Sequence, residues 1–240
     1  MVLFAALLLA APADLDKACK GGRAAACYEL ANAYKSARGV PRDLKKAADL
    51  WRRACKLGNQ DACADDAFAL VLGTGQYADP VPALARLEKY CKQGQQRACG
   101  NLGTLFVQGY GGKDGPERAP GLLSAACEKN VFTACTSLGA VEAQKQDLDG
   151  ASKLADRACQ GGDADGCTLL GDLFAKSNDV LRAGVAYAKA CQAGAPAGCY
   201  GQGVLLVHSG ADRDKGLKLL QKACNDGETR ACEAARSPDL

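Results

Sequence analysis

Histidine is almost missing from this 240-residue chain, with His208 its only example. Zinc sites draw on histidine, or on cysteines brought together by a short C-x2-C or C-x4-C step, and neither step occurs here. A metal-dependent hydrolase would need several histidines, so that class lacks its ligands. Long apolar stretches are lacking too. Only "MVLFAALLLAAPA" at 1–13 is strongly apolar, and it is shorter than the roughly 18 residues that span a bilayer. Charge of one sign is not in excess: 30 basic against 27 acidic residues leave +3. That gives no electrostatic reason to expect nucleic acid or an anionic membrane as partner. The one basic segment, "LKKAADLWRR" at 44–53, spaces its charges as a solvated helix face does. Nor is there a C-x-x-C-H haem attachment, a Gly-x-Ser-x-Gly elbow or a phosphate loop.

Cysteine is what the chain has in quantity, 14 residues with none left over from a single pattern. The pairs are Cys19 and Cys27, Cys55 and Cys63, Cys91 and Cys99, Cys127 and Cys135, Cys159 and Cys167, Cys191 and Cys199, and Cys224 and Cys232. Each is C-x7-C. An even number at strict spacing, behind a segment that reads as a secretory signal, predicts a disulfide framework. The signal reading rests on the apolar run followed by Ala-Pro-Ala before Asp14, although no Lys or Arg precedes it. Residues 1–13 are accordingly expected to be a signal peptide, and the mature protein to be periplasmic or secreted.

The neighbours of each pair say what the bond holds. Three positions after each first cysteine stand Gly22, Gly58, Gly94, Asn130, Gly162, Gly194 and Gly227. Glycine, or asparagine in its place, suits the left-handed residue just past a helix end. Before each second cysteine stands Ala or Gly, small enough for two backbones to approach to bonding distance. A helix is expected to end near the first cysteine, turn, and restart before the second.

From second cysteine to next first cysteine the steps are 28, 28, 28, 24, 24 and 25 residues. Within one such step, Leu30, Ala31 and Tyr34 mark one helix face, and Ala47, Leu50, Trp51 and Ala54 mark another. "ARGVPRD" breaks the pattern between them. The middle loop varies, as "GYGGKDGP" at 109–116 against "KSND" at 176–179 shows, whereas the cysteine turn never does. A period in the thirties with two helices per unit predicts an all-α solenoid.

These residues resemble a known family. "ACYELANAYKSARGVPRDLKKAADLWRRACKLG", "ACGNLGTLFVQGYGGKDGPERAPGLLSAACEKN" and "GCTLLGDLFAKSNDVLRAGVAYAKACQAG" are similar to the Sel1-like repeat, a relative of the tetratricopeptide repeat. The cysteine pairs narrow the resemblance to the secreted Helicobacter cysteine-rich protein type. The resemblance implies a right-handed α/α superhelix of about six repeats over residues 14–240, one continuous array with partial repeats at its ends. Two departures stand out. Asp66 occupies the place of Leu30 and Leu102, which predicts a looser second hairpin, and the later loops lack the family's Gly-x-Gly.

Repeat solenoids bind a protein or peptide on an extended concave surface, and this chain is expected to do so as a monomer, without cofactor or metal. Helical spacing from Leu30 and Tyr34 nominates Tyr28, Asn32 and Lys35, with Thr104, Gln108, Thr168, Asp172 and Tyr200 in later units. The loop "GTGQYADPVP" at 73–82 is the alternative contact surface. The resemblance also implies a rival reading, a β-lactam-binding protein or weak β-lactamase, with a β-lactam or peptidoglycan-like ligand. Against it, none of the seven serines is followed three places later by lysine, as the serine enzymes require. With every cysteine paired, no cysteine nucleophile remains. A haem role, known in a mitochondrial relative, would have only His208 to rest on.

Overall fold

The computed structural model describes residues 11–236, all turns and α-helix. Most of the signal-like segment, residues 1–10, lies outside the described residues. The helices are α1 (Pro12–Lys20), α2 (Ala24–Lys35), α3 (Leu44–Lys56), α4 (Gln60–Leu72), α5 (Pro80–Lys92), α6 (Gln96–Val107) and α7 (Gly115–Glu128). They continue with α8 (Phe132–Gln144), α9 (Leu148–Gln160), α10 (Ala164–Lys176), α11 (Val180–Gln192), α12 (Pro196–Ser209), α13 (Arg213–Asn225) and α14 (Thr229–Arg236). The chain forms two compact units, one through Pro80 with α1–α4 and one from Val81 with α5–α14. The even-numbered helices from α2 onward are the first helices of the repeats and the odd-numbered ones from α3 the second.

Every cysteine pair is joined, with Cα atoms 4.4–4.8 Å apart. The turn beneath each bond is the same. The residue three past the first cysteine donates its N–H to that cysteine's carbonyl, and the next residue donates to the carbonyl five back. Gly22 bonds Cys19 and Arg23 bonds Ala18; Asn130 bonds Cys127 and Val131 bonds Ala126. This is the Schellman arrangement, which satisfies the last helix carbonyls and demands a left-handed residue. All seven predicted positions have positive φ, from 63° at Asn130 to 96° at Gly227.

Why the second cysteine follows Ala or Gly is visible in the packing. At Gly166 and Gly198 an added Cβ would overlap the Cβ of Ala158 and Ala190, the residues before the first cysteines. Those two corners hold the closest cysteine Cα pairs, 4.4 Å. The five corners with Ala sit at 4.6–4.8 Å. One methyl group sets the approach of the helices.

The other end of each hairpin is built from different parts. In the two repeats with 24-residue steps the helix ends in its own Schellman turn, with Gln146 or Asn178 left-handed in place of glycine. Asp147 or Asp179 follows at once and caps the next helix by accepting from the N–H of Gly150 or Arg182. The first three repeats interpose a longer loop here, and Asp43 caps α3 through Lys46 N–H in the same way. This accounts for the absence of Gly-x-Gly in the later loops: three residues suffice when one tolerates positive φ and the last is a cap.

The core sits between the helices of each hairpin and its neighbour. In the first unit Leu30, Ala31, Ala47, Trp51 and Ala54 are buried, as the spacing predicts. In the second, Leu87, Leu102, Leu105, Leu123 and Leu220 are wholly buried among alanines. Each such leucine contributes about 1.5–3 kcal/mol by its removal from water. Asp66 does not loosen its helix: α4 runs unbroken through it. Its carboxylate is buried at 4% exposure and meets Arg52 of α3, 3.7 Å away. An ion pair takes the place that leucine fills elsewhere.

Candidate functional site: the row of first helices

First helices stack on one another. In the second unit α6, α8, α10, α12 and α14 each pack against the next, and α2 and α4 are joined in the first by Tyr28 of one and Asp65 of the other, 3.0 Å apart. The eight nominated residues all lie on these helices or, for Gln108, at the cap of one. Their surroundings divide them.

Four of them engage polar groups within the fold, and two of these bonds cross the stack. Tyr28 donates to the buried carboxylate of Asp65. The Asn32 amide oxygen accepts from the Trp51 indole N–H at 3.1 Å, tying α2 to α3. Thr104 and Ser137 share a hydroxyl–hydroxyl bond of 2.8 Å between α6 and α8. Thr168 turns its hydroxyl back to the Ala164 carbonyl of its own helix. Lys35 and Gln108 are exposed at helix ends.

Asp172 and Tyr200 belong to a cluster that four helices build. Tyr187 rises from the second helix α11 and passes between α10 and α12, where Gly171 and Gly201 leave space for its ring. A Cβ at either glycine would come within 2.5–2.7 Å of that ring. The hydroxyl emerges among the first helices and donates to Asp172 at 2.6 Å. Arg230 of α14 lies 4.8 Å over the Tyr200 ring and is held by two bonds to Glu228, 2.8 and 3.3 Å.

The electrostatics agree with that geometry. Burial, then the bond to Asp172, holds the Tyr187 phenol well above its ordinary pKa, so it remains a donor. The hydrogen bonds from Arg230 hold the Glu228 carboxyl below its usual range, and Glu228 in turn raises Arg230. Asp172 and Arg230 are exposed. The cluster therefore offers a fixed carboxylate, a stacked guanidinium and a phenol edge to solvent. Such groups recognise a ligand by charge and hydrogen bonding.

Tyr187 and Arg230 were not nominated from the sequence, because one lies on a second helix and the other in the last partial repeat. A signal is present: Gly171 and Gly201 stand inside successive first helices, α10 and α12, where glycine costs about 1 kcal/mol against alanine. An interior glycine of that kind makes room for something. Among the described residues there is no group of three or more His, Cys, Asp or Glu that could hold a metal. No helix there is long and apolar enough to cross a membrane.

Comparison with solved structures places this architecture. A protective antigen of uropathogenic Escherichia coli strains, described as displaying an SLR fold, superposes with TM-score 0.60 at 21% identity, covering 95% of this chain and 51% of that one. A Sel1 repeat protein from Oxalobacter formigenes gives TM-score 0.60 at 20% identity, covering 88% and 94%. The chain has the Sel1-like repeat fold. The immunity protein Pa5087 from Pseudomonas aeruginosa shares the architecture, with TM-score 0.57 at 18% identity over 91% of this chain and 84% of that one. The chain spans about half the length of the E. coli antigen. No family model and no curated protein matches it. Within the Sel1-like repeat fold seen here, the seven staples and the Asp172–Tyr187–Tyr200–Arg230 cluster are features of this sequence, each traceable to named residues.

Proposed function

We propose that the chain is a disulfide-stapled Sel1-like repeat scaffold that binds an extended segment of a protein or peptide along its first helices. One observation carries this reading. Asp172, Tyr187, Tyr200 and Arg230 are drawn from α10, α11, α12 and α14 into one cluster whose charged members are exposed. A surface fixed in advance binds without the entropy cost of ordering its own side chains. Tyrosine and arginine are also the side chains that most often anchor interfaces. Seven disulfides support an oxidising compartment, and we place the protein outside the cytoplasm on that ground. The cysteine spacing supports membership of the secreted cysteine-rich subgroup. The rival β-lactam reading has no observation here that favours it.

The test is site-specific photocrosslinking of the oxidised protein in its native envelope. A benzophenone amino acid at Asp172 or Gln108 is expected to capture a partner that the same group at Lys153 or Lys218, on second helices, does not. Asp172→Ala and Tyr200→Ala are then expected to weaken that partner's binding by roughly thirtyfold each, about 2 kcal/mol. Equal capture from both faces rejects the first-helix row as the site.

A further inference from the structure

The seven staples share one turn but not one exposure. Cys19–Cys27 and Cys127–Cys135 are buried at both cysteines, and Cys55–Cys63 and Cys224–Cys232 are half-buried at both. The remaining three, Cys91–Cys99, Cys159–Cys167 and Cys191–Cys199, are alike, with a half-buried first cysteine and a buried second one. A cation separates one of them from the other two. The Lys222 ammonium, reaching over from α13, lies 3.9 Å from Cys199 Sγ. Asp226, four residues further on, also holds that ammonium, at 2.8 Å, and an ammonium has three N–H donors with which to meet both. Among the described residues neither Cys99 nor Cys167 has a cationic donor on its sulfur.

In thiol–disulfide exchange a thiolate attacks one sulfur and the other leaves as a thiolate. The step is faster when the attacked sulfur is within reach and the leaving thiol is more acidic. At Cys191–Cys199 these two requirements fall on different atoms, each suited to its part. Cys191 is the half-buried member and the one open to attack. Cys199 is the leaving member, and its negative charge develops beside Lys222, a neighbour that lowers a thiol pKa. We propose that Cys191–Cys199 is a thiol–disulfide exchange site for a dithiol reductant. One thiol of the reductant, its proton lost to solvent, bonds to Cys191 Sγ as the S–S bond breaks and the electron pair goes to Cys199. The second thiol then displaces Cys191, which takes up its proton, and the reductant departs as a disulfide. Two electrons pass to the protein, leaving a Cys191 thiol and a Cys199 thiolate paired with Lys222. The location matters for the rest of the molecule. Tyr187 lies one turn before Cys191 on α11 and Tyr200 directly follows Cys199 on α12. Opening this staple removes the covalent tie between the two helices that carry the rings of the first-helix cluster.

The test treats the oxidised full chain, under native conditions, with limiting dithiothreitol for short times, traps free thiols with N-ethylmaleimide and locates the label by peptide mass spectrometry. The pairs Cys91–Cys99 and Cys159–Cys167, matched in exposure, are the internal references. Label is expected to enter Cys191 and Cys199 about threefold or more faster than either reference pair. Lys222→Gln is expected to slow that opening to the rate of the references, and Lys222→Arg, which keeps the charge, to preserve it. Loss of the Lys222–Asp226 ion pair by itself would loosen the corner and speed opening, so slowing in Lys222→Gln reports the missing charge and not a damaged fold. Opening of Cys191–Cys199 no faster than the reference pairs in the unaltered chain overturns the proposal. So does an unchanged or faster rate in Lys222→Gln. Neither result depends on what the first-helix row binds.

Discussion

The two ends of each helical hairpin are made on opposite plans. At one end the turn has constant length, one hydrogen-bond pattern, one left-handed residue and a disulfide, repeated seven times. At the other the connection runs from the three residues 145–147 to the eight residues 36–43, with no covalent link. The exposed Tyr77 and Tyr110 lie in these variable loops, at 96% and 40% exposure. The difference follows from how a repeat array is stabilised. Each hairpin touches only its neighbours, so register between repeats must be set locally. It is set where one repeat passes to the next. The loop within a repeat is then free to change.

The largest effect should come from breaking that asymmetry at the stapled end. Closing a nine-residue loop restricts the unfolded chain by about 2–3 kcal/mol in the chain-entropy model. Cys127 and Cys135 are both buried, so replacing the pair by serine adds two polar groups in an apolar cluster. We expect the double variant to lose at least about 2–3 kcal/mol in denaturant unfolding. Inserting two glycines between Gly112 and Lys113, in the open loop, should cost well under about 1 kcal/mol, since loop closure varies only slowly with length. Similar losses from the two changes would mean that the ends are not specialised.

A second, smaller effect sharpens the comparison among the staples. Gly198 faces Ala190 with no room for a Cβ, whereas Ala134 occupies the same place in a corner 0.4 Å wider, 4.8 against 4.4 Å. Gly198→Ala should cost about 1–3 kcal/mol through overpacking. Ala134→Gly should cost about 1 kcal/mol or less, chiefly through helix propensity. Thermal unfolding of both decides this, and a neutral Gly198→Ala would show that the late corners relax like the early ones.

This contrast also marks how far the sequence could be read. The stapled corner was legible in full, because its requirements act on single residues: a cysteine, a left-handed position three later, a small residue before the partner. The helix faces were legible too, as Leu30, Trp51 and Ala54 show. The surface was less so. Tyr28 and Asn32 lie at the expected register, but their polar atoms are taken up by Asp65 and Trp51. Helical spacing gives the side of a helix and not the length of the neighbour that reaches it. Tyr187 is missed for the same reason, since its path depends on two glycines on other helices, Gly171 in its own repeat and Gly201 in the next. Asp66 was seen as a departure, but its partner Arg52 is fourteen residues away across a corner, where periodicity carries no information.

The smallest expected effect concerns the open ends alone and depends on pH. Asp43 and Asp179 cap α3 and α11, and each is held below the ordinary Asp value of 3.8, first by the backbone N–H of Lys46 and of Arg182 respectively. Because the folded pKa is depressed, the stabilisation is present in full above the unfolded value. It is lost as pH falls through the folded one. Both carboxylates are exposed enough for solvent and salt to weaken the interaction, so the loss should be small and confined to pH below about 4. The disulfides do not titrate, and the stapled corners should be indifferent over the same range. Amide hydrogen exchange at pH 5 and pH 3 separates the two. Protection at Lys46 and Arg182 is expected to fall, while protection at Gly22, Gly58 and Gly162, whose N–H groups bond the first cysteines, stays level relative to the rest of the chain. Asp179→Asn, which still accepts the cap bond without titrating, should remove the pH dependence at Arg182 and leave that at Lys46 unchanged. A uniform loss across both ends would instead mean global acid unfolding, and the caps would then have no separate role.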